Sequence, residues 1–283
     1  MTIVFFLICK FLFVPLLING QGLGIFEKAD SLAMAGEYFA AAVEYERIVF
    51  ESDDKSIQNK ALIKKGFAYK NAGEYQSAKH TFQRTDPFSL DDTLQYIARY
   101  ETALNAYLAG DFGEAEAELV QLEYYISDTA FTNQALFLKI LVLNEQQKWD
   151  EAKSLFIEYL KINHIAVNAD EVYYFVAKPK LRNPEKAQWL STFIPGSGQI
   201  YGGAVWSGLG SFLIQAGSLA FGGYYIWKGY YFRAFLTGFA TFQTFYFGGV
   251  NNAAYVTVKN NEKKIRKYND SVKKIILEIE RRQ

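Results

Sequence analysis

Residues Ala35–Tyr45 read AGEYFAAAVEY, and the pattern returns three times. AGEYQSAKHTF begins at Ala72, AGDFGEAEAEL at Ala109 and QQKWDEAKSLF at Gln146, each 37 residues after the one before. The aromatics Tyr38, Tyr75, Phe112 and Trp149 fall in register, and so do Ala41, Ala78, Ala115 and Ala152. Four residues beyond each alanine stands a large side chain: Tyr45, Phe82, Leu119 and Phe156. Self-similarity at such a period is the mark of an array of stacked units.

The residue types say what each unit is. A helix ends near the glycine or its equivalent, where a left-handed residue costs little. The aromatic opens the next helix. The alanine is small, so two helices approach closely there, and the large residue one turn on shares its face and fills the space between neighbours. No single unit can bury its apolar stripe alone, so stacking supplies the stability.

The pattern resembles the tetratricopeptide repeat family over about residues 26–161. Leu32, Tyr69, Ala106 and Leu143 match the aromatic or aliphatic position of its first helix, and Ala29, Gly66 and Ala103 match the close-packing site, from which Ile140 departs. Ile48, Thr85, Leu122 and Tyr159 replace the usual second-helix alanine, and the period is three residues longer than the family's. The resemblance implies an all-α, four-repeat solenoid over 24–165 whose groove binds a protein partner as a helix or extended segment.

Zero formal net charge hides an asymmetry: 23 acidic against 13 basic residues from Gln21 to Leu160, and 9 basic against 4 acidic from Lys259 to Gln283. An acidic front argues against a nucleic-acid module. The single cysteine, Cys9, permits no disulfide framework, and the two histidines, His80 and His164, read as helix-surface residues. Triad and metal chemistry have nothing to stand on. The chain is expected to be no enzyme and to need no cofactor or metal.

The N-terminal residues 1–22 carry Lys10, then the apolar run Phe11–Ile18, then Gly20-Gln21-Gly22. That is the order of a signal peptide, with an uncleaved anchor as the alternative. Export places the array on the periplasmic side of a bacterial inner membrane, or at another envelope membrane.

Residues 166–186 form a connector that includes AKPKLRNPEK. The segment 187–258 follows, with charge-free runs over about 204–227 and 234–256 joined by KGYYFR. Two antiparallel membrane spans are the expectation, and the aromatics around the turn suit a headgroup layer. At the head of this segment, FIPGSGQIYGG (Phe193–Gly203) lacks the lysine of a phosphate loop and the acidic residue of a dinucleotide site. It reads instead as the end of a short interfacial helix and a sharp reversal into the first span. PGSGQIYGG is similar to the Pro-Gly-x-Gly-Gln-x-Tyr-x-Gly signature of small bacterial membrane domains of unassigned function. Pro195, Gly196, Gly198, Gln199, Tyr201, Gly202, Asn251 and Ala253 match it.

Counted from Tyr230 in the turn, Gln215 and Gln243 lie at similar depth, which predicts that their amides pair across the hairpin or with a second copy or partner. The tail 259–283 places Ile265, Tyr268, Val272, Ile275, Ile276 and Ile279 on one helical face opposite lysines and arginines. It reads as a basic amphipathic helix. The whole predicts a membrane-anchored scaffold of the cell envelope that touches lipid and an unidentified protein. A channel-, transport- or insertion-related accessory subunit acting through the hairpin is the alternative, and self-association is open.

Overall fold

A computed structural model describes residues 23–86, 91–125, 129–177 and 180–281; every regular element among them is helical. The leader or anchor expected at 1–22, with Cys9, lies outside the described residues. Two compact units result: the chain up to Val176 together with everything from Ile275 onward, and Ala177–Lys274.

The first unit begins with four helix pairs: α1 (Leu23–Met34) with α2 (Tyr38–Glu51), α3 (Lys55–Asn71) with α4 (Tyr75–Gln83), α5 (Asp92–Ala109) with α6 (Phe112–Tyr125), and α7 (Thr129–Glu145) with α8 (Trp149–Ile162). Each helix packs on the next. The turn within each pair is the same structure four times. Gly36, Gly73, Gly110 and Gln147 adopt φ of 83°, 81°, 89° and 63°. The amide one residue later then donates to the carbonyls of Leu32, Tyr69, Ala106 and Leu143, at 2.8 to 2.9 Å. This closes the first helix of each pair with a left-handed cap. Gln147 takes the conformation without glycine, because the turn geometry is set by the pair rather than by one residue.

Ala41, Ala78, Ala115 and Ala152 are fully buried, as are Leu119 and Phe156. The four aromatics that open the second helices are half-buried. At Gly66 an added Cβ would lie 2.6 Å from the Phe82 ring, so α3 and α4 meet there without room for a side chain.

Some charges also join successive repeats. Glu46 of α2 accepts from Arg84 at 2.8 and 3.0 Å and from Lys65 at 2.7 Å. The Arg84 bonds, with those of Lys65, hold its carboxyl down at about 2 from an ordinary 4.5. A depressed carboxylate stabilises the fold above its unfolded value and loses that contribution as pH falls through the folded one. The side chain is 41% exposed, so solvent screens much of the effect. Glu46→Gln should therefore cost about 1 kcal/mol at neutral pH, and the difference from wild type should close between about pH 4.5 and pH 2. Urea titrations of both proteins across that range measure it, and a gap that persists at the acid end rules the ion cluster out as its source.

The connector 166–186 divides between the units. Asn168 caps the short α9 (Ala169–Val172), which α10 (Tyr174–Ala177) follows. Tyr173 between them is buried and its hydroxyl accepts from Asn144 at 2.9 Å, so this part belongs to the array. Asn183 then caps α11 (Pro184–Phe193) of the second unit, accepting from the Lys186 amide.

The second unit continues with α12 (Ser197–Gly202), α13 (Val205–Trp227), the single turn α14 (Tyr231–Arg233), a π-helical stretch Ala234–Ala240, and α15 (Thr241–Arg281). The tail expected as a separate helix over 259–283 is the continuous end of α15; its residues up to Lys274 belong to the second unit and those from Ile275 to the first.

The two expected membrane spans are corrected here. Among the described residues no helix is both long and apolar enough to cross a membrane. In α13 five glycines, three serines and Gln215 dilute the apolar residues. The second run does not form one span-length α-helix, since it starts π-helical and runs on into the charged residues of α15.

Candidate functional site

The motif residues Pro195 to Gly202 are brought together, and they tie four helices. Gly196 precedes α12 as its N-cap at φ 86°, where its missing Cβ would enter the Gly208 carbonyl of α13. A Cβ on Gly198 would strike the Ala187 carbonyl, and its amide donates to Ser191 Oγ at 3.0 Å. Gln199 is buried, donating to the Gly249 carbonyl at 3.0 Å and accepting from Ser191 at 3.3 Å. Gly202 lies against Thr257, and its carbonyl accepts from Asn260 at 2.8 Å. Tyr201 presents its hydroxyl to the Asn183 amide at 3.3 Å.

The polar atoms of the motif are thus spent on the protein itself, and the signature works as a packing knot. Sequence reasoning missed Ser191, Thr257, Asn260 and Asn261, whose donors and acceptors lie on α11 and α15. Adjacent Asn260 and Asn261 in a basic run are the one hint. Asn261 bonds both the amide and the carbonyl of Arg182, at 3.0 and 2.7 Å. Of the other two matched residues, Ala253 is buried and Asn251 is exposed.

The structure does not bring Gln215 and Gln243 together. Gln215 is buried and donates to Ser211 Oγ at 3.0 Å and to the Phe245 carbonyl at 3.4 Å, while Gln243 is exposed. The register explains this. Gly222 meets Gly238 in backbone contact and Gly249 meets Ser211, so Phe245 lies opposite Gln215. The contact is to the Phe245 backbone, and the side chain of Gln243, two residues earlier, is exposed. Matching depth along an axis says nothing about rotation around it.

The other side of this helical pair is a coat of large apolar groups. Trp206, Leu213, Phe221, Trp227, Phe239 and Phe247 are each more than half exposed, up to 85% for Trp206. Gln215, Ser218, Gly208 and Gly222 lie on the buried face of α13. Gln215 and Ser218, among the polar groups that dilute the helix, therefore point inward, while Ser207 is exposed. The outward surface is far more apolar than the helix average, and it exceeds the scattered apolar exposure normal for a soluble surface.

In the first unit, the segment from Ile275 seats on the array. Ile276 and Leu277 are buried. Tyr159 of α8 donates to Glu280, and its ring packs on Phe137 of α7 with centroids 5.7 Å apart. Burial first, then Tyr96 and the carboxylates of Glu101 and Glu280, hold the Tyr100 phenol well above its usual range. Tyr100 and Phe137 occupy the same position one repeat apart. The segment thus has two adjacent buried aliphatics and, one turn on, a carboxylate bonded to the array.

Also in this unit, Lys70 of α3 and Glu101 of α5 form a buried ion pair at 2.7 Å, with Asn105 donating to Glu101. His80 and His164 are exposed, and His164 sits past the end of α8 at φ 53°. Among the described residues no group of three His, Cys, Asp or Glu side chains is placed to hold a metal ion.

Residues 180–280 match the model of a family of unknown function, DUF5683. No curated protein and no solved structure matches the chain.

Proposed function

We propose that the chain is a non-enzymatic scaffold of a bacterial cell envelope, a tetratricopeptide-like array that holds a partner protein beside a membrane. One observation carries the reading: Tyr159 of the array donates to Glu280 of a helical segment, the chain's own residues from Ile275, which belongs to the same compact unit. A surface that seats an amphipathic helix by apolar burial and one carboxylate can exchange it for a partner helix of the same pattern.

The second unit serves as the anchor. Its helices put Gln215 and Ser218 between them and many of their aromatic and aliphatic groups outside. Such a pair seats in lipid as one body, with the Gln215 amide nitrogen and the Gln199 amide bonded within the protein. The proposal is a paired insert in the apolar layer, in place of two independent spans.

The array's role is tested with the chain ended after Lys274 and a synthetic peptide of residues 268–283. The peptide should bind the shortened chain with a dissociation constant on the order of 10–100 µM, since one short helix buries little area. Glu280→Ala in the peptide should weaken binding about ten- to hundredfold, by the loss of a hydrogen bond to a charged group worth about 1.5–3 kcal/mol. Peptide that fails to bind a still-folded shortened chain ends the reading of this face as a helix receptor.

A further inference from the structure

Eight cations of the second unit, all exposed but the partly buried Arg182, lie in two stretches that the packing knot brings together. Lys180, Arg182 and Lys186 come from the approach to α11 and its first turn. Lys259, Lys263, Lys264, Arg266 and Lys267 come from the middle of α15, about eighty residues later. Lys264 Nζ donates to the Lys180 carbonyl at 2.9 Å, and Asn261 grips the Arg182 backbone, so the two stretches lie side by side. Among the described residues no ion pair engages any of these eight cations, whereas the array's lysines and arginines are repeatedly paired with carboxylates. Only Glu185 and Glu262 offset them within these stretches.

The patch borders the apolar coat, and the border is aromatic. Lys186 Nζ stands 5.6 Å from the centre of the Tyr201 ring, and Lys259 Nζ 5.7 Å from that of Tyr255. Trp189 lies one turn beyond Lys186 and is 65% exposed; Tyr255 is 61% exposed. Cations, then tyrosines and a tryptophan, then aliphatics and phenylalanines follow one another along the unit. That order matches the layers of a bilayer surface: charged headgroups, the polar–apolar boundary and the acyl layer. An acidic protein partner would answer the charge and leave the adjoining coat uncovered. A lipid surface covers both.

We propose that this basic collar binds the anionic headgroups of the membrane in which the apolar coat is seated, so that the second unit selects acidic lipid. This rests on the anchor reading above, and the test separates the two. The full chain in detergent is diluted into preformed phosphatidylcholine vesicles, with and without phosphatidylglycerol, and vesicle-bound protein is measured by flotation at low and high salt. The coat alone should give binding to both vesicle types. The collar should add about tenfold or more on the acidic vesicles, an increment that salt removes. Replacing Lys259, Lys263, Lys264 and Lys267 with glutamine should abolish the increment and leave binding to phosphatidylcholine unchanged. The same positions changed to arginine should keep it, which also controls for folding. Equal binding of wild type to both vesicle types overturns the collar and leaves the anchor standing. Failure to float with either overturns both. An increment that survives the glutamine changes assigns it elsewhere and overturns the collar.

Discussion

Gly198→Ala is expected to destabilise the second unit by about 3 kcal/mol or more. The added methyl has nowhere to go. It meets the carbonyl oxygen of Ala187 and stands 2.5 Å from Ser191 Oγ. Ala187 is fully buried inside α11, so its oxygen moves only if that helix moves. Relieving the clash also pulls the Gly198 amide from Ser191, a bond of 3.0 Å between buried groups. Overpacking of this kind costs about 1–3 kcal/mol and a lost buried hydrogen bond about 1–3 more. Gly210→Ala and Gly217→Ala are the internal contrast. Both lie within α13 with no neighbour within 4 Å of the new atom, and each should stabilise the helix by up to about 1 kcal/mol. Adding Ser191→Gly should not rescue Gly198→Ala, because the Ala187 backbone remains. Protease resistance and thermal unfolding of the full chain in detergent report the outcome. A Gly198→Ala protein that melts with wild type would mean that the motif glycine is not fixed by packing.

What was legible in the sequence was what is local and repeated. Four turns and the alanines at their centre share one spacing because each obeys the same helix geometry, so the period announced them without knowledge of any contact. The two long apolar runs were visible for the same reason, but their meaning depended on which way the polar residues between them point. Gln215, Ser211 and Ser218 turn inward, and composition cannot tell inward from outward. The motif was visible as glycine, proline and glutamine, while its partners Ser191 and Asn260 look like any surface residue until α11 and α15 are folded beside it. Gln243 failed as a partner because counting residues fixes height and leaves rotation free. Of the apolar face expected at the end of α15, Tyr268, Val272 and Ile276 are buried and Ile275 is exposed; that Glu280 meets the array could not be read from spacing, since nothing local in 275–281 refers to Tyr159.

Charges show the same division, and the second large effect follows from it. Lys70 and Glu101 are 31 residues apart and would pass as solvated helix residues, yet their side chains are 4% and 0% exposed. They link the second repeat to the third through bonds of 2.7 and 2.9 Å. Taking two ions from water is costly, and close contact in the interior offsets that cost only while both are present. Glu101→Gln should therefore destabilise the array by about 3–5 kcal/mol, since it leaves an ammonium buried beside a neutral amide. Lys70→Met with Glu101→Leu should lie within about 1 kcal/mol of wild type or above it, because neither desolvation cost remains. Asn105 survives the change: it loses the carboxylate at 3.3 Å but keeps the Glu101 carbonyl at 2.7 Å. Because stability in an array is a sum over repeats and their interfaces, the single substitution should loosen α3 and α5 first, as faster amide exchange there than in α7 and α8. Added salt should leave the effect of Glu101→Gln unchanged while reducing that of Glu46→Gln, since only the exposed pair is screened. If the double substitution costs as much as the single one, the bond geometry rather than the burial of charge holds these repeats together.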